Sequence, residues 1–324
     1  MMKHLFFLVM IVLLCAAPAR SQQGTKTPAK KVNRTVKAVY EVVPEEPMPQ
    51  PRANDLAEEN LYGKVKSVKH YDVRHASDTP RIGMYFEYNE EGNRTRHKYY
   101  SSYKDIPDYS SVYNYGANGK ISEIIDYRET DGHPVPESSK KYTYDDHGNL
   151  IELTEYNIKH DMPDYHTVSY YDSLHHLIAT CTIGRRGDTL SVKIYERGNM
   201  VKWTSYQNWS TETREYKYDG QGHAISEDYH ATGGEEPHFS KYSYDGNGRK
   251  VREEYSHVRK DSLTLDNPSI TTYTYDRYGN TTSLGDDQVR NTYWYEYDKH
   301  GNWIKEYSVY DGHFTDLREI EYYP

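Results

Sequence analysis

The stretch KYTYDDHGNLIELTEY, residues 141–156, contains the residue types that a β-hairpin with a tight turn requires. Tyr142 and Tyr144 are two residues apart, so in a strand both side chains project from the same face. Asp145 can open a turn by accepting backbone N–H bonds, and Gly148 can adopt the left-handed conformation that closes a type I turn with a bulge. The apolar residues that follow can form a return strand. The stretch therefore predicts one β-hairpin.

The same phrase recurs along the chain, which identifies it as a repeated architectural unit. Where directly successive copies both contain a turn glycine, the two glycines are 22 to 31 residues apart, so the period is short and variable. The clear copies are FEYNEEGN (86–93), YNYGANGK (113–120), YTYDDHGN (142–149), YKYDGQGH (216–223), YSYDGNGR (242–249), YTYDRYGN (273–280) and YEYDKHGN (295–302). Degenerate copies are SYYDSLHH (169–176) and KIYERGN (193–199), and a half copy, LYGKVKSV (61–68), precedes them all.

This repetition predicts an all-β fold made of tandem antiparallel β-hairpins. A single hairpin is marginally stable in water, so consecutive hairpins must dock edge to edge, each burying the face that its neighbour exposes. We expect one continuous twisted sheet, coiled as a solenoid or as an open barrel-like spiral, with almost no helix. The hairpin register stays open, because a shift of one residue moves every side chain to the other face.

Tyrosine dominates the aromatic residues, with 36 tyrosines against 5 phenylalanines. Hydrophobic residues make up 35% of the chain and its mean hydropathy is -1.00, so the core must be thin and largely built of tyrosine. Tyrosine can stack on a sugar ring, but every copy has these tyrosines, so we interpret them as cross-strand packing. The residues assigned to the repeat structure are Tyr142, Tyr144, Asp145, Gly148, Asn149, Tyr218, Asp219, Gly222, Tyr244, Asp245, Gly248, Tyr275, Asp276, Gly279, Asn280, Tyr297, Asp298, Gly301 and Asn302.

The N-terminal sequence predicts export. A short apolar run follows a basic start and precedes small residues, which is typical of a secretory signal peptide over residues 1–21, cleaved near Ser21. Residues 22–60 are rich in proline and charge and predict a disordered or extended tether. Residues 61–324 form the predicted repeat domain. The protein is therefore expected to be secreted, periplasmic or located at the cell surface.

Charge, hydropathy and cysteine content exclude several classes of protein. The formal net charge of -9 makes nucleic acid an unfavourable partner. No segment after the signal peptide approaches the roughly 20 apolar residues needed to cross a bilayer, so the mature chain is predicted not to span a membrane. Only Cys181 remains after cleavage, so no intrachain disulfide can form, and the flanking sequence ATCTI predicts that this residue is buried.

The pattern Tyr/Phe-x-Tyr-Asp-x-x-Gly-Asn resembles the tyrosine-aspartate repeat, also called the YD or Rhs repeat, and is clearest in the copies that begin at Tyr142, Tyr273 and Tyr295. The resemblance covers residues 61–324. It implies a bacterial, exported or surface-borne protein whose repeats build a spiral β-sheet and bind carbohydrate. Large members of the family enclose a C-terminal toxin. Here the repeats continue to the last residues, so a shell around a toxin is not expected.

Aspartate recurs in the turns and histidine is abundant, yet neither pattern predicts a metal site. One aspartate per turn accounts for hairpin closure, whereas a calcium loop needs several oxygen ligands from one segment. His147 and His300 precede turn glycines, and His175 and His176 occupy the glycine-asparagine position of a degenerate copy, so we interpret them as exposed turn residues. No catalytic motif or phosphate loop is present. We predict no metal, no cofactor and no catalytic residue.

Four tryptophans are the candidate ligand-binding residues, because the repeat does not require tryptophan at any position. They are Trp203, Trp209, Trp294 and Trp303. A flat aromatic ring can stack on a sugar, although Trp303 occupies a return-strand position where burial in the core is the alternative. We predict a secreted, non-enzymatic β-repeat scaffold of the cell envelope that binds carbohydrate or another surface polymer, with a protein as the other possible partner.

Two other functions remain open from the sequence. The first is a purely structural or adhesive module that interacts with proteins. The second is a hydrolase with a carboxylate pair, such as Glu152 with Glu155 or Glu253 with Glu254. Charged faces of a solvated sheet produce such pairs by default, so the non-enzymatic interpretation is preferred.

Overall fold

The computed structural model describes most of the predicted repeat domain and the residues directly before it. The described ranges are 55–73, 79–101, 106–130, 133–158, 163–207, 209–233, 236–257, 267–308 and 314–324. The predicted signal peptide and residues 22–54 of the predicted tether lie outside them. A short helix, α1, occupies Asp55–Glu58, so the last residues of the segment that was expected to be a tether include regular structure.

Regular structure in the described residues is almost entirely β. The strands are β1 Val65–Asp72, β2 Arg81–Tyr88, β3 Arg94–Tyr99, β4 Tyr109–Tyr115, β5 Ile121–Thr130, β6 His133–Tyr144, β7 Leu150–Asn157, β8 Tyr165–Tyr171, β9 Leu177–Gly184, β10 Thr189–Glu196, β11 Asn199–Tyr206, β12 Thr211–Tyr218, β13 Ala224–Ala231, β14 His238–Tyr244, β15 Lys250–His257, β16 Ser269–Tyr275, β17 Thr281–Gly285, β18 Arg290–Tyr297, β19 Trp303–Ser308 and β20 Phe314–Tyr322. Among these residues there is no helix with the length and apolar character needed to traverse a lipid bilayer.

The strands form one sheet in which each strand pairs antiparallel with its neighbours along the chain. β20 also pairs antiparallel with β1, which closes the sheet into a ring. The predicted all-β fold of tandem antiparallel hairpins is confirmed. The ring differs from the open spiral that was expected, because the last strand finds a partner in the first and leaves neither of them as an unpaired edge.

In a hairpin with the full repeat phrase, the register places both tyrosines on one face of the sheet. In hairpin β6–β7, Tyr142 lies opposite Leu153 and Thr143 lies opposite Glu152, and the register then shifts immediately before Tyr144. We call the side that bears Tyr142 and Tyr144 the tyrosine face, and the side that bears Thr143 the opposite face. The same register shift, a β-bulge, precedes Tyr88, Tyr115, Tyr171, Tyr195, Tyr218, Tyr244, Tyr275 and Tyr297.

The turns close with the bonds that the sequence predicted. The Asp145 N–H donates to the Asn149 carbonyl and the Gly148 N–H donates to the Asp145 carbonyl, both at 2.9 Å. Gly148 has φ +81, a left-handed conformation that a residue with a Cβ adopts only at a cost. The Asp145 carboxylate accepts the backbone N–H of His147 and of Asn149. The side-chain amide of Asn149 also binds this carboxylate and holds the pKa of Asp145 below its usual range.

A second set of bonds joins six of the described hairpins to the hairpin before them. The Tyr144 hydroxyl donates at 2.9 Å to the carbonyl of Ile121, the first residue of β5. Five other hairpins repeat this contact at 2.7 to 2.9 Å. We call the six donors the latch tyrosines; they are Tyr115, Tyr144, Tyr171, Tyr218, Tyr244 and Tyr275. The bond needs a hydroxyl on an aromatic ring, which explains why this chain uses tyrosine where phenylalanine would pack equally well.

The latch tyrosines predict a loss of stability at alkaline pH. Burial raises the pKa of each of them above the ordinary value of about 10. The folded chain therefore keeps protons that the unfolded chain releases, so this stabilisation is complete below about pH 10 and declines as the pH rises further. Urea unfolding between about pH 8 and pH 11, combined with the ultraviolet absorbance of tyrosinate, measures the effect. Full ionisation of the tyrosines in a chain that stays folded would contradict it.

The ring closes through a hairpin that the two ends of the repeat domain build together. Tyr322 of β20 lies opposite Val65 of β1, and the Tyr323 N–H donates to the Lys64 carbonyl at 2.8 Å, as in the turn-closing bond of intact hairpins. Gly63 has φ +85, and the glycines of the hairpin turns have φ values between +73 and +91. The half copy at 61–68 thus supplies a return strand, and the C-terminal residues supply the outgoing strand. This pair is called the split repeat below.

Two clusters of buried side chains lie on different faces of the sheet. Cys181 is buried, as predicted, and packs on the opposite face against Val192 of the neighbouring strand. The other members of this cluster are Ala179 and Ile194. The second cluster lies at the split repeat, where α1 contributes Leu56; its remaining members are Leu61, Val65, Val68 and Tyr88, with Phe86, Ile320 and Tyr322 packed against them. α1 therefore covers the closure of the ring.

Candidate binding surface

The structure distributes the four candidate tryptophans over both faces and one connector, so they do not form a single site. Trp203 of β11 lies opposite Arg214, and Trp303 of β19 lies opposite Tyr297, which puts both on the tyrosine face. Trp294 of β18 lies on the opposite face, with 48% of its surface exposed. Trp209 lies in the connector between β11 and β12 and is 94% exposed.

Trp303 packs inside a group of charged and aromatic side chains. The Arg318 guanidinium lies 3.5 Å from the centroid of the Trp303 ring, and the His70 ring meets the same indole edge to face at 5.3 Å. Burial, together with the charge of Arg318, lowers the pKa of His70 to about 3, so His70 is neutral and accepts the Nε–H of Arg318. Burial also lowers the pKa of Arg318 to about 10. The indole face is occupied by Arg318, which matches the alternative that Trp303 belongs to the packing.

Trp203 is in a comparable position. The Arg214 guanidinium lies 5.5 Å from its ring centroid and 5.1 Å from that of Tyr229, and donates to the Glu227 carboxylate at 2.7 Å. Arg214 thus connects an indole, a phenol and an acid across β11, β12 and β13. We assign Trp203 to this cross-strand cluster and not to an open surface.

Trp294 forms an exposed aromatic platform with Tyr307. The two side chains lie directly opposite each other on β18 and β19, and their rings stack with centroids 3.6 Å apart and an angle of 3° between the ring planes. Tyr307 covers one face of the indole. Because nearly half of Trp294 is exposed, the other indole face is the surface that remains available to a ligand.

A pair of opposite charges lies beside this platform on the same face. Glu296 and Lys305 are directly opposite each other, and their carboxylate and ammonium groups are 3.0 Å apart. The Tyr307 hydroxyl donates to the other carboxylate oxygen of Glu296. This bond, followed by the one from Lys305, holds the pKa of Glu296 below its usual range, so the carboxylate is ionised at neutral pH. The surface therefore combines a flat apolar ring with a hydrogen-bond acceptor and a donor.

The carboxylate pairs proposed for a hydrolase are separated by the register. Glu152 lies opposite Thr143 on the opposite face, whereas Glu155 lies opposite Lys140 on the tyrosine face. The consecutive residues Glu253 and Glu254 likewise point to different faces. Neither pair can flank one glycosidic bond, because the sheet lies between the two carboxylates.

The turns bring together three residues that the sequence treated separately. Asp145 and His147 of the β6–β7 turn lie beside His175 of the β8–β9 turn, and one ligand atom from each lies within 4.8 Å of the other two. The sequence signal was present but weak: both histidines occupy turn positions in consecutive copies of the repeat.

No protein-family model matches the chain, and the search of curated proteins found no match. Solved structures that match the chain include TcdB2-TccC3-TEV, with 14% identity, a TM-score of 0.30, and coverage of 74% of this chain and 13% of that chain. A porin-like protein from Bacteroides uniformis has 12% identity, a TM-score of 0.35, and coverage of 79% and 98%. One from Bacteroides vulgatus has 11% identity, a TM-score of 0.26, and coverage of 80% and 98%.

Proposed function

We propose that this protein is an exported, non-enzymatic scaffold of the bacterial cell envelope that binds carbohydrate through the platform of Trp294 and Tyr307. The observation that carries the proposal is the exposed indole face beside the Glu296–Lys305 pair. A sugar has apolar C–H faces that stack on an aromatic ring and hydroxyl groups that exchange hydrogen bonds with a carboxylate and an ammonium. The platform offers both at adjacent positions of one sheet face.

Two features of the sequence support the cellular location and the class of ligand. The apolar N-terminal run is typical of a signal peptide, which directs the chain to the envelope, where polysaccharides are abundant. The resemblance of the repeats to the YD or Rhs family supports carbohydrate as the ligand. An extended closed sheet, held by backbone pairing and tyrosine latches, gives the rigid base on which such a platform stays in place.

Replacement of Trp294 by alanine is expected to lower the affinity for a retained glycan by about tenfold, because it removes the stacking surface. A glycan array first identifies a retained sugar for the unchanged protein, and titration of that sugar then compares the variants. Trp209→Ala is the matched control, since Trp209 is an exposed tryptophan outside the platform. Equal affinity of Trp294→Ala and the unchanged protein would refute the site. Retention of no glycan would refute carbohydrate binding and favour the structural or protein-binding alternative.

A further inference from the structure

The edge of the sheet that carries the hairpin turns contains a cluster with the donor atoms of a transition-metal site. Asp145 and His147 belong to one turn and His175 belongs to the turn of the next hairpin. Their potential ligand atoms, one carboxylate oxygen and two imidazole nitrogens, lie within 4.8 Å of one another, and the two imidazole centroids are 3.9 Å apart. Zinc binds such atoms at about 2.0 to 2.2 Å, which places tetrahedral ligands roughly 3.4 Å apart. Small rotations of two exposed imidazoles bridge that difference.

The carboxylate of Asp145 is oriented by its own turn with one oxygen still accessible. Its Oδ1 accepts the backbone N–H groups of His147 at 3.0 Å and of Asn149 at 2.7 Å. Its Oδ2 accepts the Asn149 side-chain amide at 2.9 Å, which leaves further lone-pair capacity on that oxygen. Hydrogen bonds that fix a ligand carboxylate in this way are the usual support around a bound metal ion.

His175 occupies a position where histidine carries a conformational cost. Its backbone has φ +65, whereas the equivalent position is glycine in the turns that contain Gly148, Gly222 and Gly248. A residue with a Cβ loses roughly 1–2 kcal/mol in this conformation, and the His175 side chain remains exposed to solvent. Histidine in place of the usual glycine does, however, put an imidazole directly beside His147. Coordination of an ion would offset the cost that the turn geometry imposes.

We propose that Asp145, His147 and His175 bind one divalent transition-metal ion, with zinc as the best match to two imidazoles and a carboxylate. Three protein ligands leave the fourth tetrahedral position to water, because both histidines are exposed to solvent. The ion joins two consecutive turns and so adds a link between neighbouring hairpins, besides the pairing of β7 with β8 and the Tyr171 latch. This site lies apart from the Trp294 platform and does not depend on carbohydrate binding.

The test uses isothermal titration of the mature chain, without a histidine tag, with zinc chloride alone. His175→Gly is the decisive variant, since it removes a ligand and supplies the residue that other turns have, so its thermal stability without zinc is expected to be equal or higher. We expect His175→Gly and His147→Ala each to weaken zinc binding by at least about tenfold, and His133→Ala, an exposed histidine outside the cluster, to leave it unchanged. Absence of zinc binding by the unchanged chain, or equal affinity of His175→Gly, would overturn the proposal.

Discussion

Deletion of residues 314–324 is expected to open the ring and to lower its free energy of unfolding by at least about 4 kcal/mol. β20 pairs with β1 on one side and β19 on the other, so its removal turns both of these strands into unpaired edges. Ile320 and Tyr322, which pack against the buried cluster at the split repeat, are removed as well. Burial of side chains of this size contributes about 2 kcal/mol each, before any loss of strand pairing is counted.

Urea unfolding followed by circular dichroism and tryptophan fluorescence measures this effect. Trp303 lies on β19, and the deletion removes Arg318 from its indole face, so the tryptophan fluorescence of the folded chain is expected to change. The matched control is deletion of Pro324 alone, which follows β20 and takes part in none of the strand pairings described here. Addition of a peptide with the sequence of residues 314–324 is expected to restore the lost stability. An unchanged unfolding transition in the truncated chain would show that β20 does not hold the ring closed.

Simultaneous replacement of the six latch tyrosines by phenylalanine is expected to lower the free energy of unfolding by about 6 kcal/mol, from about 1 kcal/mol for each hydrogen bond. Each replacement keeps the aromatic ring and removes only the hydroxyl that binds the preceding hairpin. The backbone carbonyl that loses its donor is half-buried, as at Ile121, so the loss includes part of the cost of an unsatisfied polar group. The six bonds belong to different hairpins and share no acceptor, so their contributions add.

Single Tyr→Phe variants and one double control make this prediction decisive. Tyr99 and Tyr165 are 44% and 46% exposed, so their replacement by phenylalanine changes the tyrosine count without touching a latch. The double control is expected to unfold within about 0.5 kcal/mol of the unchanged protein. A latch variant that is as stable as this control would mean that the latch tyrosines contribute only the packing of their aromatic side chains. Such cross-strand packing was the interpretation drawn from the sequence.

The hairpins could be predicted from the sequence because every element of the turn is local. Asp145, Gly148 and Asn149 make their bonds within five residues of chain, so the residue types alone specify the geometry. The hairpin register, in contrast, stayed open from the sequence. The bulge before Tyr144 shifts the pairing by one residue, and nothing in the alternation of residue types marks where such a bulge falls.

Closure of the ring and the latches depend on distant residues and were not predicted. Tyr144 donates to a backbone carbonyl, a group that every residue has, so no side-chain pattern reveals the acceptor. The half copy at 61–68 was recognised, but its missing half lies about 250 residues away along the chain, in β20. In the sequence, only the truncated phrase at 61–68 indicated that a repeat was incomplete. A long separation in sequence leaves no periodic trace from which pairing can be inferred.

The candidate site was predicted in part. Trp294 was selected from the sequence because the repeat does not require tryptophan. The same reasoning also selected Trp203 and Trp303, whose ring faces are next to Arg214 and Arg318. Those contacts cross between strands and depend on the register. Tyr307, which completes the platform, was not selected because tyrosine is too common in this chain to carry information. His147 and His175 lie 28 residues apart in different turns, and only the shared edge of the sheet brings their rings together.

The latch has a consequence for how such chains change in length. Its acceptor is main chain, so a hairpin contacts whatever hairpin precedes it without regard to that neighbour's side chains. Recombination between two copies can therefore insert or remove a whole unit and still leave every remaining donor with an oxygen to bind. The number of hairpins in the ring can therefore change between descendants of one gene, while the split repeat still closes the sheet.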